Sequence, residues 1–320
     1  MSKLASYIKL LRPQQYYKNL LILLGIIFSG ELFDFNLYGT LIVGFVILSF
    51  VFSISYIIND WRDIQADQNH PEKKFRPLAS GDVGKIEAIF IIFLLLLVIF
   101  ELIALLKIDL REKFLLILLL IVIFSTSQLY SFYFKNRAFY DVIFISLNYV
   151  WRALVGVVII SVNLSPWLFV LGFLFAMFLA LSKRKGDLFL LQENASKHKK
   201  VFEVYTNQIL DFYILIVTGT LLVSYSIYVV DSVINFNRFK NPYTKFQNPY
   251  IMLLTLPIVT LILMRLIYLE VSGSQKIRRA ELLFLDKEII INGFFVAVLT
   301  FISLFWNDLG LGQLIKYFYH

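Results

Sequence analysis

LYGTLIVGFVILSFVFSISYIIN, residues 37–59, runs without a single charged side chain into NDWRDIQADQNHPEKKFRPLASG, residues 59–81. The first stretch is long enough to cross a hydrocarbon core as a helix. The second turns abruptly acidic and then basic. Apolar runs of the same kind recur along the chain, and the spans predicted are 19–33, 37–59, 86–106, 114–134, 139–162, 167–182, 209–231, 249–271 and 289–306. This gives an all-α, polytopic membrane protein with nine transmembrane helices, read as one domain over residues 1–320 because no linker, repeat or low-complexity tract divides it. Composition agrees: 59% of the 320 residues are hydrophobic and 16% charged, with a mean hydropathy of +0.76. A soluble globule and a disordered chain are both excluded by those values. The absence of cysteine excludes disulfides, thiolate zinc sites and a cysteine nucleophile.

The net charge of +8 is unevenly placed. With the N-terminus inside, 21 of the 30 Lys and Arg fall on cytoplasmic segments and 7 on outer ones, while Arg152 and Arg265 lie within spans. That bias predicts an N-in, C-out protein of the cytoplasmic membrane, so the positive charge needs no nucleic-acid partner to explain it. The basic start, Lys3 to Lys18, lacks a small-x-small cleavage site and reads as leading into an uncleaved first helix.

The inner loops 60–85 and 183–208 are long and rich in ionisable residues, which marks that side for chemistry. Asp60, Asp63 and Asp67 are spaced three and four apart, so a helix continuing past the membrane boundary would carry all three on one face. Three carboxylates without cysteine or paired histidines suit a hard cation such as Mg²⁺, which shares its shell with water and substrate phosphates. Lys73, Lys74 and Arg76 follow closely, and Pro71 and Pro77 stiffen the path. Acids that hold a metal beside bases that hold phosphate point to a diphosphate ligand. The alternative is a solvated polar loop in which acids and bases merely pair.

Three further clusters stand on the same side. YSFYFKNRAFYD brings Tyr130, Lys135, Arg137 and Asp141, and Asp141, Asn148 and Arg152 share a helical stripe. Arg152 is about 16 Å beyond Asp141 at 1.5 Å per residue, and an intramembrane arginine marks a functional position unless it is a structural partner of Asp141 or Asn148. Arg265 can snorkel to the inner surface. LSKRKGDL places Lys183, Arg184 and Lys185 where the sixth span ends, and RPQQYYKN places Arg12, Gln15 and Lys18 before the first. Both admit a topological or anchoring reading as well as a ligand role.

NDWRDIQAD matches N-D-x-x-D-x-x-x-D and resembles the first aspartate-rich motif of the UbiA superfamily of intramembrane prenyltransferases. The resemblance implies a UbiA-type fold of nine helices with an inner-side site, in which Mg²⁺ is held by two aspartate-rich motifs. Here the second motif's place reads SKRKGD, with bases in place of acids, which favours direct anion binding by Lys183 and Arg184. RPQQYYKN, the 59–81 stretch, YSFYFKNRAFYD, WRALVG and SKRKGDL together look like the decaprenyl-phosphate phosphoribosyltransferase branch. That branch implies transfer of 5-phosphoribose from phosphoribosyl pyrophosphate (PRPP) to a polyprenyl phosphate, with pyrophosphate released. Asp60, Asp63 and Asp67 would then be catalytic metal ligands with Asn59 beside them. Lys73, Lys74 and Arg76 would hold the pyrophosphate, and Lys18, Tyr130, Lys135, Arg152, Lys183 and Arg184 the remaining phosphates. The expected partners are PRPP, the lipid phosphate and the bilayer, and a homo-oligomer is compatible with the sequence. A conventional prenyltransferase using an isoprenyl diphosphate would share the first site. A transporter fits less well, because its ionisable residues would gather at the midplane rather than at the inner surface.

Overall fold

The computed structural model describes residues 2–29, 31–163, 165–191, 200–238, 246–272 and 285–311. The described secondary structure is helical throughout, and eight helices are long and apolar enough to cross a membrane. In chain order, the α-helices are α1 (Lys3–Leu11), α2 (Leu24–Phe28), α3 (Asn36–Arg62), α4 (Ile64–Gln68), α5 (Lys85–Leu105), α6 (Leu110–Phe132), α7 (Tyr140–Ile159), α8 (Pro166–Leu191), α9 (Asn207–Arg238), α10 (Thr255–Val271) and α11 (Lys287–Leu304). The predicted spans from 37–59 onward each fall on one of the eight.

The stretch expected as a first span, 19–33, is built differently. Pro13–Leu23 is a 3₁₀ helix that passes into the five-residue α2, so it is not among the eight. Pro13 stands at the first helical position, where its missing N–H costs nothing. Arg12 before it is left-handed, at φ 55° and ψ 54°, and turns the chain between α1 and the 3₁₀ segment. A second departure is at the inner end of α8, which continues to Leu191 and keeps Lys183, Arg184 and Lys185 helical.

The chain divides into two compact units. The first comprises residues 1–27, 32–133 and 151–162, and its core gathers Leu10, Ile22, Leu41, Ile47, Leu48, Ile57, Leu116, Ile123, Val155 and Ile159. Within it α3 is the hub, packing against α1, the 3₁₀ segment, α5 and α6. Glycines allow the closest approach: a Cβ on Gly156 would run into the Ile22 carbonyl, and one on Gly25 would meet Val157 N at 2.9 Å. Small residues at such crossings let backbones touch in a membrane. The second unit comprises residues 28–31, 134–150 and 163–320, with Phe178, Leu181, Tyr205, Leu210, Ile214, Leu263 and Leu266 in its core. There α8 packs on α9, α9 on α10, and α10 on α11.

Candidate active site

The acidic stretch sits at the inner end of α3, in the first unit. The helix stops at Asp63, whose φ of −89° and ψ of 9° are no longer helical, and α4 resumes for only five residues. The continuous helix expected to align three carboxylates is therefore broken at the middle one. Asp60 and Asp67, 2% and 3% exposed, are brought together instead. Arg76 Nη1 donates to Asp60 Oδ1 at 3.0 Å and to Asp67 Oδ2 at 2.7 Å. Arg12 Nη2 donates to the same Asp60 oxygen at 2.5 Å. Asp63 accepts from Arg62 Nε at 3.0 Å.

Two arginines thus balance two buried carboxylates, which relieves the repulsion that acids at this spacing would suffer alone. Asp60 Oδ2 and Asp67 Oδ1 take no hydrogen bond among the described residues, leaving one oxygen of each carboxylate for a further cation. Among those residues, no three acidic or imidazole side chains already form a metal cage. The donors present are nevertheless hard oxygens of the type Mg²⁺ takes, two carboxylates and the neighbouring Asn59 amide, with the rest of the shell left to water and substrate.

Asn59 is fixed across helices, since Ser131 on α6 donates to its Oδ1 at 2.9 Å. Arg62 Nη2 donates to the Ser131 carbonyl at 2.9 Å and its guanidinium lies 4.4 Å from the Phe132 ring centre. Tyr130 is half-buried beside that pair in sequence. Of the three bases expected to act together, Arg76 faces inward to the acids. Lys73 and Lys74 stand exposed on a short 3₁₀ turn, with Lys74 5.2 Å from the Phe75 ring centre. His70 organises this turn, its Nδ1 accepting from the Glu72 and Lys73 amides.

Arg152 is 5% exposed, and Asp141, a partner that their shared stripe suggested, bonds Arg184 and Tyr205 instead. Its Nε donates to Asn19 Oδ1 at 3.0 Å and its guanidinium lies 3.8 Å from the Phe52 ring centre. Asn19 in turn donates to Ser49 at 3.1 Å. Asn148 donates back to the Phe144 carbonyl of its own helix. Lys18 donates to Gln15 at 2.7 Å, and the Tyr16 hydroxyl is 2.9 Å from Ser53 Oγ.

In the second unit the basic triplet is dispersed around α8, because successive helical residues point about 100° apart. Arg184, 2% exposed, donates from Nε to Asp141 Oδ2 at 2.7 Å, and Asp141 is fully buried. Tyr205 donates its hydroxyl to the other Asp141 oxygen at 2.7 Å and accepts from the Phe139 amide at 2.7 Å. Burial, then the Asp141 charge, pushes the Tyr205 phenol well above its ordinary value, so it stays a neutral donor. Lys185 pairs with Asp211 at 2.5 Å and bonds the Glu270 carbonyl. Lys183 is the exposed member of the triplet. The expectation that Lys183 and Arg184 act alike is thus revised, since Arg184 is already matched by a buried carboxylate. Lys135 is half-buried on the short 3₁₀ turn Phe134–Asn136 before α7.

A sequence model of the UbiA prenyltransferase family matches residues 20–284. The chain belongs to the UbiA prenyltransferase family. Similar curated relatives of this UbiA chain are the decaprenyl-phosphate phosphoribosyltransferases of Mycolicibacterium smegmatis, 32% identical over 225 residues and 69% of each chain, and of Corynebacterium glutamicum. The latter is 29% identical over 229 residues, 70% of this chain and 67% of the relative. Solved UbiA-type structures share the fold. Digeranylgeranylglyceryl phosphate synthase aligns with a TM-score of 0.64 at 16% identity, covering 95% of this chain and 99% of that one. A UbiA homolog from Archaeoglobus fulgidus bound to GPP and Mg²⁺ aligns with a TM-score of 0.61 at 14% identity, covering 93% and 99%. Family membership and the eight apolar helices make this a multi-pass membrane protein.

Arg12, Asn19, Ser131 and Tyr205 are the site neighbours that sequence reasoning undervalued. Arg12 lies 48 residues from Asp60, and Tyr205 lies 64 from Asp141. No local spacing reveals such pairs, although a buried acid at a helix end always calls for a partner.

Proposed function

We propose that this UbiA-family chain transfers a 5-phosphoribosyl group from PRPP to a polyprenyl phosphate at the cytoplasmic face of the membrane, releasing pyrophosphate. The observation that carries this reading is the 32% identity over 225 residues to a relative named decaprenyl-phosphate phosphoribosyltransferase. The basic SKRKGD in place of a second acidic motif supports it, since a donor with a separate 5-phosphate needs cationic groups beyond the pyrophosphate site.

In this reading an acceptor phosphate oxygen attacks the anomeric carbon, and the C–O bond to pyrophosphate breaks with both electrons leaving on the pyrophosphate. The acceptor oxygen is already anionic, so no base has to remove a proton. Asp60 and Asp67, with Asn59 and the motif's Asp63, would hold Mg²⁺, which supplies neutralisation of the leaving group's charge. Arg12 and Arg76 orient the two buried carboxylates. Lys73 and Lys74, exposed, meet the phosphates of the soluble donor as it arrives, and Lys183 takes a terminal phosphate. Tyr130, Lys18, Lys135 and Arg152 are assigned to the remaining phosphate contacts.

Purified protein offered PRPP and an isoprenyl diphosphate in parallel tests the proposal. Labelled lipid is expected from PRPP with polyprenyl phosphate and Mg²⁺. Consumption of the isoprenyl diphosphate with an aromatic acceptor, and none of PRPP, would sink it.

A further inference from the structure

One helical turn above the Asn59–Ser131 pair, α3 carries Ser55 and α6 carries Gln128. Consecutive spanning helices alternate in direction, so α3 and α6 run the same way, and the hydrogen bond between Ser131 and Asn59 joins them near their C-terminal ends. Ser55 is four residues before Asn59 and Gln128 three before Ser131, which puts both at one level on the sides that meet. Both belong to the first unit.

Their polar atoms are unusual. Ser55 is 4% exposed, and neither its Oγ nor either end of the buried Gln128 amide has a hydrogen-bond partner among the described residues. A helical serine normally returns its hydroxyl to the carbonyl four residues back. Ser49, Ser53, Ser146, Ser226 and Ser232 all do so here, bonding Phe45, Ser49, Val142, Leu222 and Tyr228. Ser55 does not. Leaving such groups buried and unbonded is costly, so the site calls for an occupant.

The chemistry of that occupant can be narrowed. An amide with both ends open needs a partner that donates to Gln128 Oε1 and accepts from Nε2. A phosphate at neutral pH accepts but does not donate well, and an isoprenyl chain does neither. A hydroxyl does both, and two adjacent hydroxyls match a serine and a glutamine side by side. Neither residue is charged, so a neutral group binds here without needing a counter-charge.

We infer that Ser55 and Gln128 form a subsite for the vicinal hydroxyls of a pentose, one turn deeper than the acidic cluster that faces the phosphates. Assigning the sugar to the donor of the transfer reaction rests on the function proposed above. The requirement for a ligand that both donates and accepts does not. The subsite gives a physical reason for discrimination: a pocket that bonds a sugar's hydroxyls leaves its own polar groups orphaned when a prenyl tail enters, a strong basis for rejection.

The test is a binding measurement on the full-length protein in detergent, independent of turnover, with ribose 5-phosphate and 2-deoxyribose 5-phosphate as probes. Wild type is expected to bind the ribose compound about tenfold or more tightly than the deoxy compound. Gln128→Met and Ser55→Ala, each checked for an unchanged melting profile, should bring that ratio towards one. A wild-type ratio near one, or a ratio unchanged in both variants, overturns the subsite; the latter outcome would mean that a trapped water satisfies the two side chains. Wild type inert towards PRPP yet still selective for ribose 5-phosphate would reject the transfer reading and keep the subsite.

Discussion

Asp60 and Asp67 share Arg76, and this single guanidinium sets the behaviour of the whole acidic cluster. Removing one member of a buried ion network leaves the other charges uncompensated, typically at a cost of about 3–5 kcal/mol. Arg76→Ala is therefore expected to lower thermal stability in detergent sharply, whereas Lys73→Ala, exposed on the same loop, should leave the melt unchanged. Asp60→Asn keeps the volume and a hydrogen-bonding oxygen, so it should fold while losing turnover by about 10²-fold or more, as expected when electrostatic stabilisation of the reacting charge is lost. Full activity in that variant would contradict the assignment. The acids themselves were legible from spacing alone. Their division into an Arg76-bridged pair and an Asp63 bonded to Arg62 was not, because it depends on where α3 stops, and helix ends are the least determined feature of a sequence.

At the level of the helix, the basic end of α8 separates into two roles. Arg184→Ala strands Asp141 in a buried site and should destabilise the protein, with Tyr205 as the carboxylate's remaining partner. Lys183→Ala should leave stability unchanged and instead raise the KM for a phosphate-bearing substrate, measurable as a KM shift at constant melting temperature. Equal loss of stability in the two variants would reject the division. The 3₁₀ and α2 stretch makes a similar point about packing. Gly156→Ala drives a methyl into the Ile22 carbonyl and should cost about 1–3 kcal/mol by overpacking. Gly39→Ala on α3, where a Cβ meets open space, should be neutral or slightly stabilising. Long apolar runs made the eight spans readable, since the hydrocarbon core sets their length, although α8 and α9 run past their predicted ends. It could not show that 13–23 adopts a tighter winding, which follows from Pro13, the left-handed Arg12 and the close passage of Gly25 against Val157 just beyond it.

Across the whole molecule, the surplus of positive charge has two destinations. Part of it serves topology, and part is matched against buried acids: Arg12 and Arg76 in the first unit, Arg184, Lys185 and Arg265 in the second. Lys73, Lys74 and Lys183 are exposed cations that form no ion pair among the described residues, and the transfer reading gives them to substrate phosphates. The motif and the UbiA fold were legible in the sequence, whereas the deep polar level at Ser55 and Gln128 emerged only when α3 and α6 were placed side by side. Mass analysis of the lipid formed by the reconstituted protein tests the central claim most directly. With PRPP, polyprenyl phosphate and Mg²⁺, the lipid should gain one phosphoribosyl unit for each pyrophosphate released. An unchanged lipid, together with an isoprenyl diphosphate consumed by the same preparation, would contradict it.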